Sequence, residues 1–145
     1  KPGTTFIEMD YKIKNLRKLI SGERVNISTL PSAEIAALCA IGNPDSFKET
    51  LKHAGLNIRK YYIYPDHHFF TIDEILKILE NKPLIITTEK DSVKIESIIK
   101  ENPVKSHFDS IYVLEICPEI ISGKEIWEKI IKASQPYSLT ETAPS

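Results

Sequence analysis

The chain has 145 residues, 41% hydrophobic and 27% charged, with 19 Lys and Arg against 20 Asp and Glu and a formal net charge of −1. That length and apolar share suit one globular domain with a substantial core, and the near-neutral balance argues against nucleic acid as a partner. Cys39 and Cys117 stand far apart in apolar surroundings, which excludes a disulfide scaffold or a zinc ribbon and predicts reduced core thiols.

The first 30 residues have moderate apolar content without a clear period and are expected to form a strand and a linker. Residues 31–132 alternate strand and helix signals. Ala33 to Ile41, "AEIAALCAI", reads as a buried strand because a helix start follows it at once. Asn43 is a favoured N-cap, and Pro44 is tolerated in a first helical turn, where its missing N–H would have no partner anyway. Phe47, Leu51 and Ala54 then share one helix face, and Gly55 supplies the stop. "NIRKYYIYP" is aromatic and β-branched and predicts a second strand ending at Pro65. Thr71 and Glu74 have capping-box spacing at the head of a helix with Ile72, Ile75, Leu76 and Leu79 inward.

"PLIITT" predicts a third strand, apolar on both faces as in a covered parallel sheet. A helix over "EKDSVKIESIIKEN" and a fourth strand over "SIYVLEI" come next. A last helix from Gly123 to Lys132 carries Ile126, Trp127, Ile130 and Ile131 as its apolar stripe, and residues 133–145 are polar and expected to be disordered. The pattern predicts an α/β fold with a mainly parallel sheet flanked by helices. No apolar run approaches the ~20 residues that cross a bilayer. The start, "KPGTTF", has no signal-peptide core and no initiator Met, so a processed product or a fragment is expected.

Ligands of parallel α/β sheets gather at the carboxyl ends of the strands. Three polar segments fall there, Gly42-Asn43-Pro44, Asp66-His67-His68 and Thr87-Thr88-Glu89-Lys90-Asp91, which makes one shared site plausible. Imidazoles titrate near neutrality and can move protons or bind a metal, and a carboxylate can fix their tautomer. The alternative for the histidines is one exposed ring and one that satisfies a turn. The Thr-Glu-Lys-Asp run suits an oxyanion at a helix N-terminus, or it simply caps that helix while Glu89 and Lys90 stay solvated. Gly42-Asn43-Pro44 can likewise be only a tight turn and a cap.

The order of the three segments resembles the carboxyl-terminal half of the tetraacyldisaccharide 4'-kinase family, the lipid A 4'-kinases of Gram-negative bacteria. The family's run is Gly-Ile-Gly-Asn-Pro, a Phe-Phe, a Leu and a Gly, then Asp-His-His or Asp-His-Gln, then Thr-Glu-Lys-Asp-Ala-Val-Lys. This chain keeps Ile41, Gly42, Asn43, Pro44, Phe47, Leu51, Gly55, Asp66, His67, His68, Thr88, Glu89, Lys90, Asp91, Val93 and Lys94. It departs from the pattern at Ala40, Lys48 and Ser92. The resemblance is strong over Pro31 to Ile99 and weaker outside.

That resemblance implies the second α/β domain of a two-domain P-loop kinase with its site in the cleft between domains. It further implies transfer of the ATP γ-phosphate, with Mg2+, to the 4'-hydroxyl of a tetraacyldisaccharide 1-phosphate lipid at the cytoplasmic face of the inner membrane. His67 would be the catalytic histidine, Asp66 and His68 its support. Gly42, Asn43, Pro44, Thr88, Glu89, Lys90 and Asp91 would be accessory motifs.

The chain's five glycines, at 3, 22, 42, 55 and 123, do not fit the Gly-x-x-x-x-Gly-Lys-Ser/Thr spacing that cradles phosphates, and the family's amphipathic N-terminal membrane helix has no counterpart. The expectation is therefore a carboxyl-terminal part of the kinase, truncated or from a broken gene, inactive and cytoplasmic by itself. A non-catalytic remnant that binds a lipid headgroup or a protein partner is the alternative. A metal-dependent Asp-His-His phosphoesterase ranks below both, since the nearby acids are Asp73 and Glu74 in capping positions.

Overall fold

The computed structural model describes residues 6–81, 83–101 and 105–134. Among them are strands β1 (Glu8–Lys18), β2 (Arg24–Val25), β3 (Ile35–Cys39), β4 (Ile58–Ile63), β5 (Leu84–Thr88) and β6 (Ile111–Ser122). The helices are α1 (Pro44–His53), α2 (Ile72–Leu79), α3 (Glu89–Lys100) and α4 (Lys124–Ser134). The strands form one sheet in the order β2-β1-β6-β5-β3-β4. The pairs β3–β4, β3–β5 and β5–β6 are parallel, and β1–β2 is antiparallel. The α/β fold with a mostly parallel sheet is as the alternation of elements predicts. Contacts divide the chain into a larger unit, Lys12–Cys117, and a smaller one whose described residues are 6–11 and 118–134.

In the larger unit, residues alternate across the sheet as a strand's period of two requires. Ala37, Cys39, Leu84, Ile86, Tyr112 and Leu114 face α1 and pack with Phe47 and Leu51. Leu38, Ala40, Ile85, Ile111 and Val113 face the other way, onto Ile75 and Ile78 of α2 and Ile95 and Ile99 of α3. Each of the fully buried Leu, Ile and Val side chains among them contributes about 1.5–3 kcal/mol. The division of helices follows from strand order. The chain moves one way along the sheet from β3 to β4 and the other way from β4 to β5 and from β5 to β6. Right-handed crossovers then put α1 on one face and α2 and α3 on the opposite one. Between β3 and β5 the connections part, and the carboxyl ends of the strands at such a point are where ligands of open α/β sheets gather.

Segment 12–30 contributes to this unit more than a linker would. Leu16 and Leu19 are buried in the two core clusters, and Leu19 N–H bonds to Ile111 C=O at 2.8 Å. Glu115 on β6 accepts from Arg24 Nε at 2.7 Å and Nη2 at 3.1 Å, with Arg17 Nε at 3.4 Å. The Arg24 bond, foremost, holds the Glu115 carboxyl below its ordinary range, so one carboxylate ties β2 and β1 to β6.

Two expectations are corrected. The strand expected over "SIYVLEI" does not stop at Ile116 but continues to Ser122. Cys117 is only half-buried, whereas Cys39 is buried as expected, its thiol pushed up to about 11 chiefly by burial.

In the smaller unit, Ser122 Oγ lies 3.4 Å from Glu8 Oε2. Gly123 has a φ of 80°, and a Cβ there would stand 2.9 Å from the Phe6 carbonyl oxygen. Only glycine fits that turn. α4 starts from it, with Ile126 and Trp127 N–H bonded to the Gly123 carbonyl. Residues 135–145 of the expected tail lie outside the described residues.

Candidate functional site

All three polar segments lie at the carboxyl ends of β3, β4 and β5, where the connections of β3 and β5 part. Gly42 and Asn43 follow β3. Asn43 caps α1 by accepting from Ser46 N–H at 3.1 Å, with Pro44 in the first turn, so these two residues serve the helix start as their types predict.

The first turn of α3 is held by internal bonds. Thr88 is its N-cap, accepting from Asp91 N–H at 3.1 Å. Its hydroxyl donates back to Asp91 Oδ2 at 2.8 Å. Asp91 is 0% exposed, and the same Oδ2 accepts from Ala40 N–H at 2.9 Å while Oδ1 accepts from Lys94 Nζ at 2.9 Å. Lys94 also reaches the Ala40 carbonyl at 3.5 Å and lies 5.8 Å from the centre of the Phe70 ring. Thr87 is buried too, its hydroxyl donating to Leu38 C=O at 2.9 Å. A buried carboxylate needs this many donors to remain in place. Thr88 and Asp91 therefore lock the end of β3 to the start of α3, while Glu89 projects to solvent and the half-exposed Lys90 reaches the loop after β4.

The loop after β4 is different. Pro65 to His68 form a turn closed by His68 N–H on Pro65 C=O at 3.1 Å. His67 sits in it with a φ of 62°, the left-handed region that side chains other than Gly rarely adopt. It is a non-glycine residue held there by its surroundings. Its imidazole is 77% exposed and lies 3.5 Å, Nε2 to Oδ2, from Asp66. Asp66 Oδ1 accepts from His67 N–H at 3.0 Å and from Lys90 Nζ at 3.1 Å. Lys90, foremost, keeps the Asp66 carboxyl below its ordinary range. Gly42 borders the same carboxylate, since a Cβ there would stand 3.2 Å from Asp66 Oδ2.

His68 turns the other way. Its ring stacks on Tyr64 at 4.5 Å and meets Phe70 edge-on at 5.4 Å, and its Nε2 lies 3.2 Å from both Glu74 oxygens. Glu74 also completes the capping box of α2, accepting from Thr71 N–H at 2.8 Å. Burial raises the Tyr64 phenol above its ordinary value.

The structure thus gathers Gly42, Asp66, His67 and Lys90 at one edge, whereas Asn43 and Pro44 serve the start of α1, Thr88 and Asp91 that of α3, and His68 packs against Tyr64, Phe70 and Glu74. Sequence reasoning missed Glu74 as a partner of His68 and Lys94 as a partner of Asp91. Lys94 lies one helical turn after Asp91, and that spacing was the available signal. Among the described residues, no three His, Cys, Asp or Glu side chains form a group that could hold a metal ion, and no helix is long and apolar enough to cross a membrane.

Comparison with known proteins agrees with the motif order. Residues 2–135 match the model of the tetraacyldisaccharide-1-P 4'-kinase family. The tetraacyldisaccharide 4'-kinase of Aliivibrio salmonicida is 30% identical over 129 residues, 86% of this chain and 38% of that protein. That of Rickettsia felis is 28% identical over 137 residues, 88% of this chain and 39% of its own. Among solved structures, LpxK from Aquifex aeolicus in complex with ATP superposes with a TM-score of 0.58 at 20% identity, covering 92% of this chain and 39% of that one, a likeness of fold. The chain spans about two fifths of the length of these relatives. By the family match over nearly its whole length, the chain belongs to the tetraacyldisaccharide-1-phosphate 4'-kinases, a family of lipid A kinases.

Proposed function

We propose that this chain is the carboxyl-terminal part of a lipid A 4'-kinase and presents His67 to the 4'-hydroxyl of a tetraacyldisaccharide 1-phosphate lipid. ATP and Mg2+ would be held by a P-loop part outside these 145 residues, at the cytoplasmic face of the inner membrane. One observation carries the reading: an imidazole 77% exposed, in a left-handed turn, beside an Asp66 carboxylate that Lys90 keeps ionised.

An imidazole so placed can accept a proton from a sugar hydroxyl, and the carboxylate stabilises the imidazolium that results. The described residues do not themselves fit a nucleotide or a cation. They include no glycine-rich phosphate loop, and the Asp66 carboxylate is already engaged by Lys90. The role assigned here to this chain is therefore to position and deprotonate the acceptor, and the 145-residue chain alone is expected to transfer no phosphate.

The intact mass of the native gene product comes first. A mass well above 16.5 kDa places these residues in a longer kinase, whereas one near it requires the other part to be supplied in trans. In the complete kinase, His67→Ala should lower turnover by roughly 10²-fold, the scale of a lost acid–base group, and His68→Ala should lower it less. Near-normal turnover in His67→Ala would sink the assignment. Specific binding of the lipid by the chain without turnover in any reconstitution would favour a non-catalytic binding domain.

A further inference from the structure

The helix cap and the buried latch leave two residues of the Thr-Glu-Lys-Asp run unused, Glu89 and Lys90. Thr88 caps, Asp91 bridges to Ala40, and Glu89 points to solvent, but Lys90 reaches across 24 residues of sequence to Asp66.

We propose that Lys90 is a positioning residue for His67, acting through Asp66. This rests on the reading of His67 as the proton-accepting group. Two bonds hold the Asp66 carboxylate. Oδ1 takes the His67 backbone N–H at 3.0 Å and the Lys90 ammonium at 3.1 Å, and Oδ2 lies in the space that a Cβ at Gly42 would crowd to 3.2 Å. With Oδ1 doubly engaged, Oδ2 is the oxygen left to face His67 Nε2 at 3.5 Å. Lys90 can hold this position because its helix cannot shift: the next residue, Asp91, is buried and bonded to Ala40 N–H, two residues before Gly42.

The arrangement therefore closes on itself, from the end of β3 through the first turn of α3 to the loop after β4 and back to Gly42. Removing the ammonium leaves Oδ1 with the His67 backbone N–H alone, which loosens the carboxylate about its own side chain, so the imidazole loses its fixed neighbour. The charged groups that face Asp66 are Lys90 and His67. Lys90 is half-exposed and outside the core, so its replacement leaves the fold intact.

The test uses two readouts. In the 145-residue chain, the Asp66 side-chain carboxyl is titrated by NMR in the wild type, Lys90→Met and Lys90→Arg. Lys90→Met should move its midpoint upward towards the ordinary 3.8, and Lys90→Arg should hold it down. In the complete kinase, Lys90→Met should lower kcat by roughly tenfold, the scale seen when a group that orients a working residue is lost. KM should stay near its original value, and Lys90→Arg should recover most of the loss. An unmoved Asp66 midpoint in Lys90→Met overturns the proposal, and so does a shifted midpoint with unchanged kcat in a kinase that His67→Ala does inactivate. If His67→Ala retains turnover, the catalytic reading fails instead, and the titration alone decides whether Lys90 orders Asp66.

Discussion

In the first turn of α3 each buried polar group has its partners. Asp91 receives Ala40 N–H, its own helix's Lys94 and the Thr88 hydroxyl, and its carboxylate is shielded from water. In the loop after β4, a few ångströms of side chain away through the Lys90–Asp66 bond, the backbone is in a left-handed turn at His67 and the imidazole faces solvent. Both segments are charged, both follow a parallel strand, and both lie within the residues that match the family. One is built for stability. The other spends conformational energy to display a titratable group, and the rigidity of the first makes that possible, since the cation that steadies Asp66 grows from it.

Substitutions can break this contrast at either end. Asp91→Ala should have the largest effect on stability, about 3 kcal/mol, because it strands the Ala40 N–H and leaves the mostly buried Lys94 ammonium without its counter-ion. A urea-unfolding midpoint of the 145-residue chain measures it, and a loss below about 1 kcal/mol would mean that water replaces the carboxylate easily. His67→Gly should move stability the opposite way. Relief of the left-handed backbone, less glycine's extra entropy, leaves a gain of about 1 kcal/mol or less, while the imidazole is lost. A stabilised chain whose substitution abolishes turnover in the complete kinase would sharpen the comparison, and a destabilised one would show that the turn carries no strain.

The smallest effect concerns acid. The Thr71 backbone N–H, and then His68, hold the Glu74 carboxyl below its ordinary 4.5. A carboxyl whose folded pKa is depressed stabilises fully above its unfolded value and loses that contribution as the pH falls through the folded one. The wild-type chain should therefore weaken progressively below about pH 4.5, and Glu74→Gln should weaken less steeply over the same range. Urea midpoints on either side of that pH compare the slopes, and parallel slopes would refute a role for Glu74 in acid stability.

Much of this was legible in residue order. Asn43 before Pro44 and Thr71 three residues before Glu74 announced two helix starts, and both caps are present in the structure. Local hydrogen bonds of this kind involve neighbours in sequence, so spacing alone reveals them. The apolar runs of β3 and β5 announced strands covered on both faces, and the core has a cluster on each. The outer half of β6 was not legible. Residues Ile116 to Ser122 are mostly exposed or half-exposed, so no burial pattern marks them and a neighbouring strand supplies their partners.

The sequence by itself determined the alternation of strands and helices, the caps that begin α1 and α2, and the family, since each depends on residues close together in the chain or on the order of short motifs. Only the tertiary structure decided which histidine faces water, that Asp91 belongs to the core, and that Lys90 completes the Asp66–His67 pair. The bonds from Ala40 to Asp91 and from Lys90 to Asp66 span 51 and 24 residues. No local propensity encodes such bonds; they arise because the parallel strand order brings the ends of β3, β4 and β5 to the same edge of the sheet.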